Sequence, residues 1–404
     1  DYKTGAIKAM AGGRGLSGKL LYNRATSTRQ PGSAIKPMAV YAPALQLTVD
    51  MVKNNVVDEN TKLWTAATVI DDAPLVLDGK LWPKNWYSGY RGLHTLRRSV
   101  EQSVNVNAVK VFLEIGAPTS LSFLKKLGVT SVVESGNVND MNPAALALGG
   151  MTKGISPLEM AAGYGVFANQ GLYVEPVSYT KVTNKRGEIL LESNPDKEQV
   201  MDRGVAFIMT DILRTTVTNG IAGSAAIGSH PVAGKTGTTS DNYDAWFVGM
   251  TPHYVGALWI GNDINIELSQ GSVAAARLWG KIMKQVHSGL PSASFPKPDN
   301  VVTATIDTMS GLLPSELSEL DPRGTVRSEY FVTGTVPTAT DNVHVAVTVC
   351  NDSGYLATPY CYSTTIKVMV RRPPGSVLSY GGFTVADIKY EAPSYYCNRH
   401  NFDT

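Results

Sequence analysis

The chain has 404 residues, of which 43% are hydrophobic and 17% are charged, and its formal net charge is +2 at pH 7. This composition excludes a disordered tail and favours one large folded domain with an appendage. The nearly balanced charge gives no reason to expect nucleic acid or an anionic membrane surface as a partner.

The start of the chain predicts a piece of a longer protein. No run approaches the roughly 18 apolar residues of a membrane helix. The chain opens at Asp1 without an initiator Met or a basic-then-apolar leader, and residues 5–13 predict a strand followed by a glycine turn. We therefore expect membrane association only through an N-terminal segment that precedes Asp1.

The first helix is predicted to begin close to Ser33. Proline lacks an N–H and is tolerated only in the first turn of a helix, so Pro37 places the start of a helix through Tyr41 near Ser33. Ser33 then lies at the positive end of the helix dipole. Lys36 lies about one turn along and nearly on the same face.

Three helical stretches are predicted between the first helix and residue 218. Apolar residues at spacings of three and four predict helix across 93–123, and shorter helices are predicted at 157–167 and 201–218. Between the last two, a glycine turn leads into a strand-like run at 177–182.

Three strands in succession then form a meander, at 232–239, 245–250 and 254–260, and an amphipathic helix at 271–287 is placed to cover them. The strand at residues 5–13 is expected to join this meander. The predicted fold is therefore α+β, one antiparallel sheet flanked by helices together with an all-helical subdomain.

The predicted domain boundary is a proline-rich passage at 291–300. It separates a large domain, residues 1–290, from residues 301–404. The latter carry β-branched and tyrosine-rich runs, which predict a small β-rich C-terminal module.

Three short motifs occur in a fixed order, and each of them alone is weak. They are Ser33-x-x-Lys36, Ser103-Val104-Asn105 and Lys235-Thr236-Gly237-Thr238. Together, at a helix start, in an inter-helix segment and on a strand, they form the motif set of serine transpeptidases and β-lactamases.

Longer stretches make the resemblance closer. RQPGSAIKP, SVNVNAVKV, ALGGMTKGISPLEMAAGYGVFANQG and GKTGTTSDNYDAWFVGM resemble the transpeptidase domain of class A (bifunctional) penicillin-binding proteins, over roughly residues 1–290. The resemblance implies a D,D-transpeptidase that cross-links peptidoglycan stem peptides through a seryl acyl-enzyme. It implies a D-Ala–D-Ala donor, an amine acceptor, inhibition by β-lactams and no cofactor for catalysis. It also implies a place on the extracytoplasmic face of the bacterial membrane, within a membrane-anchored parent protein.

The chemistry explains the first two motifs. A serine hydroxyl is a poor nucleophile unless a neighbouring base takes its proton. Lys36 can be that base for Ser33 only when neutral, and burial together with the cation of Lys235 lowers a lysine pKa from its usual value near 10.4. We expect Ser103 to relay a proton to the departing amine and Asn105 to hold the amide of the substrate.

The third motif is expected to bind the donor peptide. A strand edge pairs with an extended peptide through main-chain hydrogen bonds, and Gly237 leaves room for that approach. Lys235, Thr236 and Thr238 offer a charge and hydroxyls to a terminal carboxylate. By resemblance, the backbone N–H groups of Ser33 and Thr238 form the oxyanion hole.

Three other functions share the acyl-serine chemistry. A class A β-lactamase has Asp in the middle of the second motif, where this chain has Val104, and uses a glutamate in an E-x-x-L-N stretch that this sequence lacks. A D,D-carboxypeptidase uses water instead of an amine as acceptor. A β-lactam sensor acylates without turnover.

All three cysteines of the chain, Cys350, Cys361 and Cys397, lie near its end, and His400 follows the last at C-x-x-H spacing. Three thiolates and an imidazole make a complete tetrahedral zinc set. The second alternative is a Cys350–Cys361 disulfide with Cys397 unpaired, which suits an extracytoplasmic location because thiols oxidise there. Three unrelated thiols are the third alternative. The sequence leaves these alternatives open.

Overall fold

The computed structural model describes residues 1–15, 17–58, 61–373 and 375–401. The α-helices are α1 Ala42–Lys53, α2 Leu96–Glu101, α3 Asn105–Ile115, α4 Ala117–Lys126, α5 Pro143–Leu146, α6 Pro157–Ala168, α7 Arg203–Thr218, α8 Ser272–Val286 and α9 Glu316–Glu319. Gly32–Ile35, Gly223–Ala225 and Ala386–Tyr390 are 3-10 turns, and Pro37–Tyr41 is a π-helical turn.

The first eleven strands are β1 Val69–Asp72, β2 Val76–Leu77, β3 Lys80–Leu81, β4 Gly92–Thr95, β5 Leu172–Val174, β6 Lys181–Thr183, β7 Ile189–Glu192, β8 Lys197–Gln199, β9 Ala233–Thr238, β10 Asp244–Met250 and β11 Val255–Gly261. The remaining strands are β12 Val301–Asp307, β13 Val326–Val332, β14 His344–Cys350, β15 Thr364–Val370, β16 Ser379–Tyr380 and β17 Phe383–Thr384.

Two compact units account for the chain. The first contains residues 1–64 and 99–301, and the second contains residues 65–98 and 302–404. The second unit thus combines residues 65–98 with residues 302–404, whereas the boundary predicted at 291–300 separates them. As a division into separately folding domains, 1–290 and 301–404 stays a proposal.

The first unit is built around a three-stranded antiparallel sheet in the order β11-β10-β9. Every residue of β10 is buried, α8 and α6 pack against that strand, and α7 packs against β9. Within this packing, the ring centroids of Phe247 and Trp279 lie 5.1 Å apart. The Trp279 indole N–H donates to the Gly256 carbonyl at 2.9 Å. This sheet and its flanking helices confirm the α+β prediction and the predicted meander.

A helical half completes the first unit. Helices α1, α3 and α4 pack around the turn Pro37–Tyr41, all of whose residues are buried. The helical pattern predicted across 93–123 is confirmed in α2, α3 and α4, but its first residues lie in β4, and Ser103 and Gly116 lie at the breaks between the helices. Both break residues have positive φ, 53° and 78°, which an α-helix does not accommodate.

The strand predicted at residues 5–13 does not form, and this segment does not join the meander. Ala6 makes one isolated parallel bridge with Val177, through the Ile7 N–H to the Val177 carbonyl at 2.9 Å. The hydroxyl of Tyr2 donates to the Thr251 carbonyl at 3.1 Å, at the turn between β10 and β11. The start of the chain therefore contacts the sheet through the side chain of Tyr2, while the backbone at Ala6 pairs with Val177.

The second unit is β-rich and consists of short antiparallel pairs, β1 with β4, β2 with β3, β12 with β13, β14 with β15, and β16 with β17. The nearly buried guanidinium of Arg372 joins its two chain segments. Its Nε donates to Asp71 at 3.0 Å, and its other nitrogens donate to Glu391 at 2.6 Å and to Asp387. Asp387 also accepts the backbone N–H of Leu93 at 3.1 Å. These non-local ion pairs explain why residues 65–98 belong to the same unit as the C-terminal residues.

Candidate active site

Ser33 lies on the 3-10 turn Gly32–Ile35, immediately before the helical segment that Pro37 begins. The Lys36 backbone N–H donates to the Ser33 carbonyl, which closes the turn. The buried hydroxyl of Tyr164, on α6, donates to the Ala34 carbonyl at 2.6 Å and so fixes the turn to α6. As predicted, Ser33 lies at the start of a helical segment.

Glycines allow this turn to lie directly against β9. Gly32 has φ +51°, and a Cβ at Gly32 would lie 2.4 Å from the Thr238 carbonyl oxygen. A Cβ at Gly237 would lie 2.2 Å from the Pro31 oxygen. No side chain fits such distances, so both positions need glycine. The first and third motifs are thereby held in backbone contact.

Lys36 is completely buried. Its Nζ donates to Asn105 Oδ1 at 2.7 Å and to the backbone carbonyls of Ser103 and Val104 at 2.9 and 3.3 Å. Burial, and then the charge of Lys235, hold the pKa of Lys36 well below its usual value. The first and second motifs therefore meet at this amine.

Lys235, on β9, is also completely buried. Its Nζ donates to Ser103 Oγ at 2.8 Å and to the Thr236 carbonyl at 3.1 Å. Burial lowers the pKa of Lys235 to about 7. Two amines that are both charged are costly in such a site, so each favours the neutral form of the other.

Ser103 connects the two lysines, since its carbonyl accepts from Lys36 and its hydroxyl accepts from Lys235. It lies between α2 and α3, as predicted, with φ +53°. This left-handed conformation costs a non-glycine residue about 1–2 kcal/mol. The two lysine contacts hold the residue in it, an arrangement that is common at functional sites.

The third motif lies on an edge of the sheet, because β9 pairs only with β10 among the strands that the structure describes. Along β9, Lys235, Thr236 and Gly237 are buried and Thr238 is exposed at the end of the strand. The unpaired side of such a strand offers main-chain N–H and C=O groups to an extended peptide.

Two features of the site were not anticipated from the sequence. The first is that Asn105 Oδ1 accepts from Lys36; the expected role of Asn105 in holding the substrate amide stays a prediction. The second is the packing of Gly149. With φ +81° and an ideal Cβ position 2.2 Å from the Gly32 oxygen, it packs directly on the turn of Ser33. In the sequence, the pair Gly149-Gly150 indicates a turn, but it does not indicate that Gly149 packs on Gly32.

Comparison with known proteins agrees with this geometry. The family model described as "Penicillin binding protein transpeptidase domain" matches residues 1–284. The chain belongs to the penicillin-binding protein transpeptidase family. A second model, "Penicillin-binding protein 1A, C-terminal domain", matches residues 297–346. The predicted resemblance to class A penicillin-binding proteins, which act in peptidoglycan synthesis, is confirmed.

Curated relatives of this penicillin-binding protein domain carry the same family name. Penicillin-binding protein 1A of Clostridium botulinum (strain Hall) is 40% identical over 389 residues, covering 92% of this chain and 45% of the relative. Penicillin-binding protein 1A of Aquifex aeolicus is 34% identical over 342 residues, covering 83% and 43%. The chain therefore spans less than half the length of these relatives.

Solved structures show the same fold. Penicillin-binding protein 1A from Haemophilus influenzae superimposes with a TM-score of 0.64 at 28% identity, over 80% of this chain and 50% of that one. PonA1 from Mycobacterium tuberculosis, solved in complex with penicillin V, superimposes with a TM-score of 0.61 at 23% identity, over 74% and 79%. Within the described residues, no helix has both the length and the apolar character that crossing a membrane requires.

Proposed function

We propose that this chain is a serine D,D-transpeptidase that cross-links peptidoglycan stem peptides and is acylated by β-lactams. The observation that carries the proposal is the meeting of two buried lysines at Ser103, beside a nucleophile turn packed on the edge strand β9. Three motifs that are far apart in the sequence thus form one centre. The match of residues 1–284 to the transpeptidase family supports it.

In the acylation step, Lys36 acts as the base. A neutral amine has two N–H donors and one lone pair. The two shorter contacts, to Asn105 Oδ1 at 2.7 Å and to the Ser103 carbonyl at 2.9 Å, use the donors, and the longer one to the Val104 carbonyl at 3.3 Å is given up on deprotonation. The lone pair takes the proton from Ser33 Oγ as that oxygen bonds to the donor carbonyl carbon. Burial, and then the charge of Lys235, lower the pKa of Lys36 and so favour the neutral amine, whose lone pair can accept this proton. Asn105 is then a positioning residue for the base.

The oxyanion formed in this attack is stabilised by the backbone N–H groups of Ser33 and Thr238. The approach of Gly32 to Thr238 keeps these two backbones adjacent. When the intermediate collapses, the C–N bond breaks and the terminal D-alanine leaves as an amine. Its proton comes from Lys36 through the hydroxyl of Ser103, which Lys235 holds at 2.8 Å.

The second step regenerates the enzyme. The amine of a second stem peptide attacks the seryl ester, forms the new amide and gives up one proton, and Ser33 Oγ regains a proton as its ester bond breaks. Throughout, the donor peptide is proposed to lie along β9, with its terminal carboxylate near Lys235, Thr236 and Thr238. A β-lactam presents an equivalent carbonyl and carboxylate, and its ester on Ser33 deacylates slowly. No cofactor enters this chemistry.

A turnover assay separates this function from its alternatives. The chain is incubated with a stem-peptide donor ending in D-Ala–D-Ala and with an amine acceptor. Release of D-alanine together with cross-linked dimer supports transpeptidation. Release with hydrolysed donor alone indicates a carboxypeptidase, and fast penicillin hydrolysis indicates a β-lactamase. Penicillin labelling without any of these products indicates a sensor. Ser33→Ala is expected to abolish every product, while Ser288→Ala, at an exposed serine after α8, serves as the matched control.

We also propose that the domain acts on the extracytoplasmic face of the cell membrane, as part of a membrane-anchored protein. Its relatives named penicillin-binding protein 1A are more than twice as long as the part this chain matches, which supports a larger parent. Labelling of intact cells with a penicillin probe that does not enter the cytoplasm is expected to mark the parent. Labelling only after lysis would contradict this location.

A further inference from the structure

Four potential metal ligands converge in the second unit, and none of them belongs to the centre described above. Cys350 ends β14, Cys361 lies in the connection to β15, and Cys397 and His400 lie near the end of the described chain. Their ligand atoms all lie within 4.8 Å of one another. His400 Nδ1 is 3.4 Å from Cys350 Sγ and 3.5 Å from Cys397 Sγ.

These distances are those of a tetrahedral zinc site. Zn–S bonds of about 2.3 Å and Zn–N bonds of about 2.0–2.1 Å at tetrahedral angles put the ligand sulfur and nitrogen roughly 3.6 Å apart. A disulfide instead needs two sulfurs at about 2.05 Å, and all three cysteines are free thiols in the structure. A Cys350–Cys361 disulfide also does not explain why Cys397 and His400 lie beside these two cysteines.

The groups around the cluster suit thiolate and imidazole ligands. The Thr358 backbone N–H donates to Cys361 Sγ at 3.3 Å, as backbone N–H groups do for a sulfur that carries negative charge. His400 Nε2 lies 3.2 Å from Asp352 Oδ2. A carboxylate on the outer nitrogen fixes the tautomer in which Nδ1 faces the metal, the arrangement that orients ligand histidines.

The same part of the chain buries few side chains. Among the described residues from 351 to 401, only Val370, Arg372, Val385 and Cys397 are buried. A segment that buries so few side chains gains little hydrophobic free energy. A structural metal site supplies folding free energy where such a core is missing.

We propose that Cys350, Cys361, Cys397 and His400 bind one structural Zn²⁺ that fixes the end of the chain to the β14–β15 hairpin. Four protein ligands close the coordination sphere, so the ion is structural and takes no part in acyl transfer. The three thiols lose their protons on binding, and the ion adds a cross-link between three segments that backbone hydrogen bonds already bring together: the end of β14, the hairpin connection and the C-terminal segment.

The first test uses the unmodified chain. Protein purified without added reductant is expected to contain about one zinc per chain by elemental analysis, with three thiols titratable after denaturation in chelator. Replacement of zinc by Co²⁺ is expected to give the intense visible bands of a tetrahedral cobalt site and a thiolate-to-cobalt charge-transfer band. One titratable thiol without metal would establish the disulfide. Three thiols without metal, after equilibration with Zn²⁺, would establish unrelated cysteines.

Variants locate the site. Cys361→Ser and His400→Ala are expected to reduce bound zinc to background after dialysis against a chelator, and His253→Ala, at a histidine of the first unit, is expected to retain it. Asp352→Asn keeps all four ligands and is expected to weaken zinc binding by about 10- to 100-fold in a competition titration. Equal zinc retention in all four proteins would overturn the assignment, and the Co²⁺ spectrum of the unmodified chain does not depend on whether a variant folds.

Discussion

Keeping Lys235 buried is expected to make the stability of this protein depend on pH, and Lys235→Met tests this. The pKa of this amine is 10.5 in an unfolded chain and about 7 in the fold. A base with a lower pKa in the folded state binds fewer protons there than in the unfolded state. Stability therefore rises with pH between about 7 and 10.5, and below pH 7 the full cost of burial remains.

The magnitude follows from the shift. At 1.36 kcal/mol per pKa unit, the difference between 10.5 and about 7 corresponds to roughly 5 kcal/mol at low pH. Between pH 7 and pH 9.5 about 3 kcal/mol of this cost disappears from the unmodified protein and not from Lys235→Met. Loss of the bond to Ser103 Oγ offsets part of the gain in the variant, by about 1–3 kcal/mol at either pH.

Urea denaturation of both proteins at pH 7 and pH 9.5 provides the measurement. The unmodified chain is expected to gain stability over this range relative to Lys235→Met by a difference of kcal/mol size. Lys36 contributes in the same direction, because removing the charge of Lys235 lets the pKa of Lys36 rise. Parallel pH profiles for the two proteins would refute the reasoning, because they would mean that the pKa of Lys235 is not lowered in the fold.

Four further predictions concern the nucleophile, the two lysines, the packing of the turn and the second unit. Ser33→Ala is expected to abolish penicillin labelling with almost unchanged melting, and a penicilloyl adduct on this variant in intact-mass spectra would remove Ser33 as nucleophile. Lys36→Ala is expected to cripple acylation of every donor, whereas Lys235→Ala affects donors with a free C-terminus most; equal loss on donors with an amidated C-terminus would exclude the carboxylate role. Gly32→Ala forces a Cβ to 2.4 Å from the Thr238 oxygen, and the displaced nucleophile is expected to acylate about 100-fold more slowly in stopped-flow labelling. Arg372→Met leaves its carboxylates unpaired and is expected to lower the free energy of unfolding by about 3–5 kcal/mol; an unchanged urea midpoint would show that the ion pairs contribute nothing.

Local patterns were sufficient where the structure depends on local forces. Pro37 fixes φ and lacks a donor, so it placed the helix start at Ser33 correctly. The turn residues between β10 and β11 likewise identified the meander. Sequence order alone also indicated that the three motifs belong together.

Non-local partners explain what the sequence did not reveal. The assignment of residues 65–98 to the second unit depends on ion pairs such as Asp71 with Arg372, whose members lie far apart in the chain. The strand expected at residues 5–13 does not form, and the backbone at Ala6 pairs with Val177 instead of with the meander. The left-handed backbone of Ser103 is maintained by Lys36 and Lys235, and no propensity of serine predicts it.

The split composition of the second unit also sets an order of events during synthesis. Residues 65–98 leave the ribosome about 200 residues before residue 302, which at 5–20 residues per second is a delay of roughly 10–40 s. During this interval β1 and β4 pair without Arg372, the guanidinium that later donates to Asp71 of β1. We therefore expect a stage at which the residues of the first unit have been made while β1 and β4 still lack their C-terminal partners, and we expect the exposed strand edges to favour aggregation at that stage.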